Sequence, residues 1–185
     1  MTNEEWLSQM ENLGVPKRYH AVSQELRQPA ELSGWTGDPW AVTLLGPAGS
    51  GKTWIAVHVL ALLWGARAGD GFVGRIYRPR FFDVSEAIVG IKRDFDAEQS
   101  KFTYEHMVNG EAVVLDDLGA ERETDFTKDQ VSSVLRARYN SMRPTIITSN
   151  ATKLSELGDQ RIASRLSDGI VITLSGKDRR GRHAF

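Results

Sequence analysis

Apolar positions along this chain follow two rhythms that alternate. Short unbroken runs have the length and branched side chains of strands covered on both faces: Trp40-Ala41-Val42-Thr43-Leu44-Leu45, Ala112-Val113-Val114-Leu115, residues 144–148 and Ile170-Val171-Ile172-Thr173-Leu174. Residues 75–84 read as a further strand, although Pro79, which has no N–H to donate, makes it an edge strand or moves its start towards Arg80. Between these runs the spacing turns helical. It predicts helices over 54–64, over 85–95 with Ser85 as N-cap, over 102–108, over 124–142 and over 159–167. The clearest stripe is Val131, Val134, Leu135, Tyr139 and Met142. Gly65, Gly69, Gly71 and Gly74 mark the loop after the first of these helices. A short helix over 3–12, with Trp6, Leu7 and Met10 on one face, ends at Gly14 and Pro16. Strands alternating with helices predict an α/β fold with a parallel sheet between helical layers. The expected organisation is a helical lead-in over 1–38, packed beside the core, and one larger domain over 39–185.

Composition narrows this little. The 185 residues are 41% hydrophobic and 25% charged, as in ordinary globular domains. Lys and Arg total 23 against 24 Asp and Glu, so the net charge of -1 decides nothing about nucleic acid. There is no cysteine, which excludes disulfides, thiolate metal sites and thiol nucleophiles. The four histidines show no ligand spacing. The acidic start Met1-Thr2-Asn3-Glu4-Glu5-Trp6 lacks the features of a signal peptide, and no apolar run reaches the roughly 20 residues of a membrane span. The expectation is a protein of the cytoplasm, or of an infected host's cytoplasm, with no membrane partner.

Chemistry enters between the first strand and its helix. Gly46-Pro47-Ala48-Gly49-Ser50-Gly51-Lys52-Thr53 is a complete G-x-x-x-x-G-K-[ST] loop in the strand-to-helix context that the motif needs. The glycines let successive N–H groups face one phosphate, and the helix adds the positive end of its dipole. Lys52 reaches for the β- and γ-phosphates of ATP, and the Thr53 hydroxyl for Mg²⁺.

A second strand end carries Asp116-Asp117. Taken alone, the pair is a solvated strand end or a helix cap. With the loop upstream, Asp116 becomes the second Mg²⁺ ligand and Asp117 the group that orients or deprotonates water. Thr148-Ser149-Asn150 ends the next strand, and Asn150 is the residue chosen to hydrogen-bond both γ-phosphate and water. Its plainer reading is a polar turn. Arg161 and Arg165 share a helix face, so either is a candidate arginine finger for a neighbouring subunit's site. On spacing alone, surface salt bridges to Glu156 or Asp168 are the simpler account. The basic tail Lys177-Asp178-Arg179-Arg180-Gly181-Arg182-His183 is a solvated terminus or a contact to single-stranded DNA. Arg75, Arg78, Arg80, Lys92 and Arg93 form a further candidate. Tyr77, Phe81 and Phe82 are interleaved with them, but alternating aromatics in a strand are mostly core.

In this order the parts resemble AAA+ ATPases of the DnaC/IstB family, the helicase loaders and transposase helpers of bacteria and phages. The resemblance covers nearly the whole chain. It rests on Gly14-Val15-Pro16-Lys17-Arg18-Tyr19, on the loop 46–53, and on Val113-Val114-Leu115-Asp116-Asp117-Leu118-Gly119-Ala120. It rests also on Arg143-Pro144-Thr145-Ile146-Ile147-Thr148-Ser149-Asn150 and on 161–166 with the strand and basic segment after it. It implies a P-loop NTPase fold of AAA+ type, a parallel five-stranded sheet in the order 5-1-4-3-2 flanked by helices. It also implies side-by-side assembly into a ring or spiral in which Arg165, with Arg161 in reserve, completes a neighbour's site. Asn150, or failing it Thr148, would be the first sensor, and Arg179 or Arg180 a second.

Two departures matter. Many AAA+ members carry Glu where Asp117 stands, and the shorter side chain implies slow hydrolysis and a switch more than a motor. Only 45 residues precede Gly46, so a helicase grip would lie near Trp6, on another surface, or in a missing segment. The expected function is an ATP-hydrolysing helicase loader that binds single-stranded DNA and a replicative helicase, its turnover stimulated by assembly or DNA. The alternatives are a transposition helper, a small-molecule phosphotransferase and an ATP-gated DNA-binding scaffold.

Overall fold

The computed structural model describes residues 3–20, 30–63, 77–96, 102–120, 124–157 and 160–175. The apolar runs form β1 (Ala41–Leu45), β2 (Pro79–Asp83), β3 (Ala112–Asp116), β4 (Thr145–Ser149) and β5 (Ile170–Thr173). They lie parallel in one sheet, in the order β2-β3-β4-β1-β5, which is the expected 5-1-4-3-2. β1, β3 and β4 are buried at every residue, which explains why their sequences show no polar alternation. The edge strands β2 and β5 expose alternate side chains. Pro79 opens the edge strand β2, where its missing N–H costs least.

Successive residues of the inner strands point into two separate cores. Val42, Leu44, Val114 and Ile146 face α2 (Lys52–Leu63) and the N-terminal segment, which supplies Met10, Leu13, Val15, Tyr19, Leu32 and Trp35. Ala41, Val113, Leu115 and Ile147 face α3 (Val84–Asp96), α4 (Phe102–Asn109), α5 (Asp125–Asn140) and α6 (Gln160–Ser167). The N-terminal helix α1 (Asn3–Asn12) ends in a close approach to the sheet. The Leu13 carbonyl accepts the Phe81 N–H at 2.7 Å, and Gly14 has φ 81. A Cβ there would lie 2.8 Å from the Phe81 carbonyl oxygen, so glycine is required by contact as well as by conformation.

Several expectations change. α3 begins at Val84 and not after Ser85, because the Asp83 carboxylate accepts the Glu86 N–H at 3.0 Å and so caps the helix itself. Thr124 caps α5 by accepting the Thr127 N–H at 3.1 Å, and the helix stops at Asn140. Met142 therefore leaves the stripe: it has φ 48 and is 56% exposed. Arg138, on that helix, is fully buried. Phe81 and Tyr77 pack into one core and Phe82 into the other, so the aromatics near Arg78 and Arg80 are packing groups. The loop glycines 65–74, Arg75, the side chains of Trp6 and Leu7, and the basic tail 177–183 lie outside the described residues.

Candidate functional site

The carboxyl ends of β1, β3 and β4 form one rim, and each delivers part of a polar cluster. After β1 the chain turns sharply through Gly46 (φ 139), Gly49 (φ 78) and Gly51 (φ 95) before α2 begins at Lys52. Gly46 passes so close to the Leu174 carbonyl that any Cβ would collide with it. Its N–H is held by the Ala151 carbonyl at 2.9 Å, which ties the loop to the segment after β4. The opening turn of α2 has no intrahelical acceptors for its N–H groups, which is what equips a helix start to hold an anion.

Lys52, 6% exposed, folds back over its own loop. Its ammonium donates to the carbonyls of Gly46 at 2.7 Å and Pro47 at 2.9 Å, and to the Asn150 amide oxygen at 3.0 Å. The other end of the Asn150 amide donates to Asp117 Oδ1 at 2.7 Å. A second connection runs beside this one. Thr53 Oγ1 donates to Asp116 Oδ1 at 3.0 Å, and Thr148 Oγ1 donates to the same oxygen at 2.6 Å. The structure thus brings Lys52, Thr53, Asp116, Asp117 and Asn150 together from three distant stretches of sequence.

Burial pushes the Asp116 carboxyl above its ordinary range. The hydroxyls of Thr148 and Thr53 pull it back in part, and the charges of Asp117 and Asp83 add to the rise. Asp117 follows with φ 62, a left-handed conformation uncommon outside glycine. Among the described residues no three acidic or histidine side chains gather as a metal cluster. A hydroxyl and one carboxylate, both oxygen donors, still fit Mg²⁺, which keeps waters and takes its remaining ligands from phosphate.

Arg165 lies elsewhere. Its carbonyl accepts the Trp40 indole N–H at 3.2 Å, its guanidinium rests 5.8 Å from the Tyr139 ring centroid, and it donates to the Arg161 carbonyl at 3.3 Å. Trp40 precedes β1 and Gly46 follows it, so Arg165 sits beside the end of β1 opposite to the loop. The five residues of β1 separate them by about 17 Å at the usual rise of a strand. The acids considered as partners are engaged differently. Asp168 accepts the Tyr139 hydroxyl at 2.6 Å, and Glu156 accepts the Thr152 N–H at 2.7 Å and lies 3.9 Å from Lys153.

The sequence pattern of the family described as IstB-like ATP binding protein matches residues 16–174. The chain belongs to the IstB-like ATP-binding family. Its fold is that of the solved DnaC helicase loader and of DnaI. The phage-like element PBSX protein XkdC of Bacillus subtilis is 30% identical over 142 residues, 71% of this chain and 50% of that protein. The chain spans half or less of the length of the curated relatives it matches. Among solved structures, the DnaC helicase loader superposes with a TM-score of 0.71 at 22% identity, covering 86% of this chain and all of that one. The replication initiator DnaA bound to AMPPCP and single-stranded DNA gives 0.63 at 16% identity, covering 91% of this chain and 50% of that one. At these identities the structural likeness is one of fold.

Two residues of this IstB-like site carry more than their sequence signals indicated. Thr148 enters a sequence reading only as a substitute for Asn150, yet it touches both acidic residues. Asp83 stands opposite Asp116 in the β2–β3 register, a placement that only the sheet order discloses.

Proposed function

We propose that this IstB-like chain binds ATP with Mg²⁺ and hydrolyses it to ADP and phosphate as an accessory of DNA replication. In this reading it is a helicase loader that assembles with its own copies, holds single-stranded DNA and engages a replicative helicase. The observation that carries the reading is the meeting of Lys52, Thr53, Asp116, Asp117 and Asn150 at one rim of the sheet. The resemblance in fold to a helicase loader, and to an initiator bound to AMPPCP and single-stranded DNA, supports it.

The loop from Gly46 to Thr53 would receive the phosphates on its N–H groups, with Lys52 leaving the Gly46 and Pro47 carbonyls for the β- and γ-phosphate oxygens. Thr53 and Asp116 would hold Mg²⁺, whose charge neutralises those oxygens. Asp117 would orient a water and take its proton as the water oxygen attacks the γ-phosphorus and the bridging oxygen departs with ADP. Asn150 would exchange its bonds to Lys52 and Asp117 for the γ-phosphate and that water. Arg165 of an adjacent copy would meet the charge developing on the phosphoryl group. Catalysis here is positioning and charge stabilisation, with no covalent intermediate. Residues 1–38 act as a lead-in to the domain over 39–185, and the setting is the cytoplasm. Among the described residues no helix is long and apolar enough to cross a membrane.

Phosphate release measured with Mg²⁺ and single-stranded DNA, for the wild type, Lys52→Ala and Asp117→Asn, tests the reading. Turnover in the wild type alone is the expected result. Tight ATP binding with no phosphate released under any condition would favour an ATP-gated scaffold. The match to the IstB-like family favours a second reading, a transposition helper, and capture of a transposase in place of a replicative helicase would select it.

A further inference from the structure

Backbone pairing between β3 and β4 proceeds in register through Val113 with Thr145, Val114 with Ile146 and Leu115 with Ile147, and then stops. Beyond that point the strands are joined by a different set of bonds. The Leu118 N–H donates to the Thr148 carbonyl at 2.8 Å, and the Ser149 hydroxyl donates to the Leu118 carbonyl at 2.6 Å. Between them sits the Thr148 hydroxyl, in a side chain 1% exposed. It gives its one proton to Asp116 Oδ1 at 2.6 Å and accepts the Asp117 N–H at 2.9 Å.

One buried hydroxyl therefore fixes two consecutive acidic residues by different means. It selects the rotation of the Asp116 carboxylate, whose Oδ1 also faces Thr53. It also holds the Asp117 backbone in the left-handed turn that aims the Asp117 carboxylate at Asn150. We infer that Thr148 is a positioning residue that sets the Asp116 carboxylate towards Thr53 and the Asp117 carboxylate towards Asn150 as one unit. This rests on the hydrolytic reading above. A sensor must change partners when phosphate arrives. The donor and acceptor roles of Thr148 are both used in a buried position, whereas Asn150 is exposed, where phosphate and water can compete for its bonds to Lys52 and Asp117, so the two residues divide the work.

The test compares wild type, Thr148→Val, which keeps the shape and removes the hydroxyl, and Thr148→Ser, which restores it. Three quantities are read: steady-state ATP hydrolysis with single-stranded DNA, binding of a fluorescent ATP analogue in Mg²⁺ and in EDTA, and hydrogen exchange at the Asp117 amide. For Thr148→Val, kcat falls about 10- to 100-fold while KM stays within about threefold, since the lost interaction acts on the reacting geometry. The Mg²⁺-dependent gain in analogue affinity shrinks, and the Asp117 amide exchanges about tenfold faster or more. Thr148→Ser returns all three to near wild type. A Thr148→Val chain with wild-type kcat, Mg²⁺ response and amide protection overturns the inference. Equal damage from Val and Ser overturns it too, because the methyl group would then be what matters. Should Thr148→Val not fold, Thr148→Ala and Thr148→Ser carry the same comparison. A wild type that never turns over defeats the hydrolytic reading, while the Mg²⁺ response and the amide exchange still decide the role of Thr148.

Discussion

The Lys52 ammonium lies 3.0 Å from the Asn150 amide oxygen across 98 positions of sequence. Asn150 therefore joins the loop 46–53 to the acidic strand end, because its amide nitrogen is bonded to Asp117. Replacing it by Ala leaves Lys52 its two carbonyl partners, so the loop keeps its shape. The expected outcome for Asn150→Ala is ATP affinity within about threefold of wild type and kcat reduced about 10- to 100-fold. Titration of a fluorescent nucleotide beside a phosphate-release assay measures both. Loss of binding in place of turnover would contradict the assignment.

Asp116, the proposed Mg²⁺ ligand, is held at a cost to the fold. Its carboxyl titrates above the ordinary range in the folded chain because it is buried. The folded state thus binds that proton more readily than the unfolded state. The stability tied to the protonated form is fully present below the ordinary carboxylate value and is lost as pH rises through the elevated folded one. At neutral pH the ionised group is a burden. Asp116→Asn in EDTA should melt roughly 2–4 °C higher than wild type, with a flatter dependence on pH in the acid range, and should lose the Mg²⁺-dependent gain in nucleotide affinity. A lower melting temperature would show that the hydroxyl bonds outweigh burial.

Arg138 is a cation used as a structural joint. It donates to the carbonyls of Met107, Val108, Gly110 and Pro144 and to the Thr145 hydroxyl, binding the end of α4 to the start of β4. Burial, with Arg143 nearby, pulls its guanidinium down to about 9, which leaves it charged at neutral pH. Arg138→Met strands those acceptors and should destabilise by about 3 kcal/mol, a fall of roughly 6–12 °C in Tm. Arg138→Lys should recover only part of this, since an ammonium cannot reproduce the planar fork. Chemical denaturation of the three chains checks the order.

Arg165 and Lys52 allow a mixing experiment. Arg165→Ala retains a loop and Lys52→Ala retains the arginine, so each alone should hydrolyse little. An equimolar mixture should regain about a quarter of wild-type activity, because a quarter of random neighbours pair an intact loop with an intact arginine. The same mixture with Arg161→Ala in place of Arg165→Ala tests the reserve candidate. Size-resolved assembly with a slowly hydrolysed ATP analogue and single-stranded DNA supplies the physical check. A wild type that stays monomeric throughout would sink the shared site.

Legibility in the sequence followed the range of the interaction. The strands of the inner sheet and the loop 46–53 were plain, because unbroken apolar runs and glycine spacing are local signals. Ser85 has the local signature of the α3 cap, but the cap is Asp83, whose place is fixed by pairing across to Asp116. Met142 fits the stripe of α5 by periodicity, but the helix has ended two residues before it. Arg138 could not be seen as buried, since a cation on a helix reads as solvent-facing until α4 and β4 enclose it. The hydroxyl of Thr148 was hidden for the same reason: it matters only where β3 and β4 part.

The position of Arg165 beside Trp40, at the far end of β1 from Gly46, has a consequence for any assembly built on it. A contact that joins the arginine of one copy to the loop of the next uses two unlike surfaces, so it has a direction and never pairs face to face. Copies linked this way close on themselves or grow as a filament with two different ends. In an open filament one terminal copy always presents a loop without its arginine. On the proposed mechanism that copy would hold nucleotide without being discharged by a neighbour, and would mark one end of the array as chemically distinct from the other.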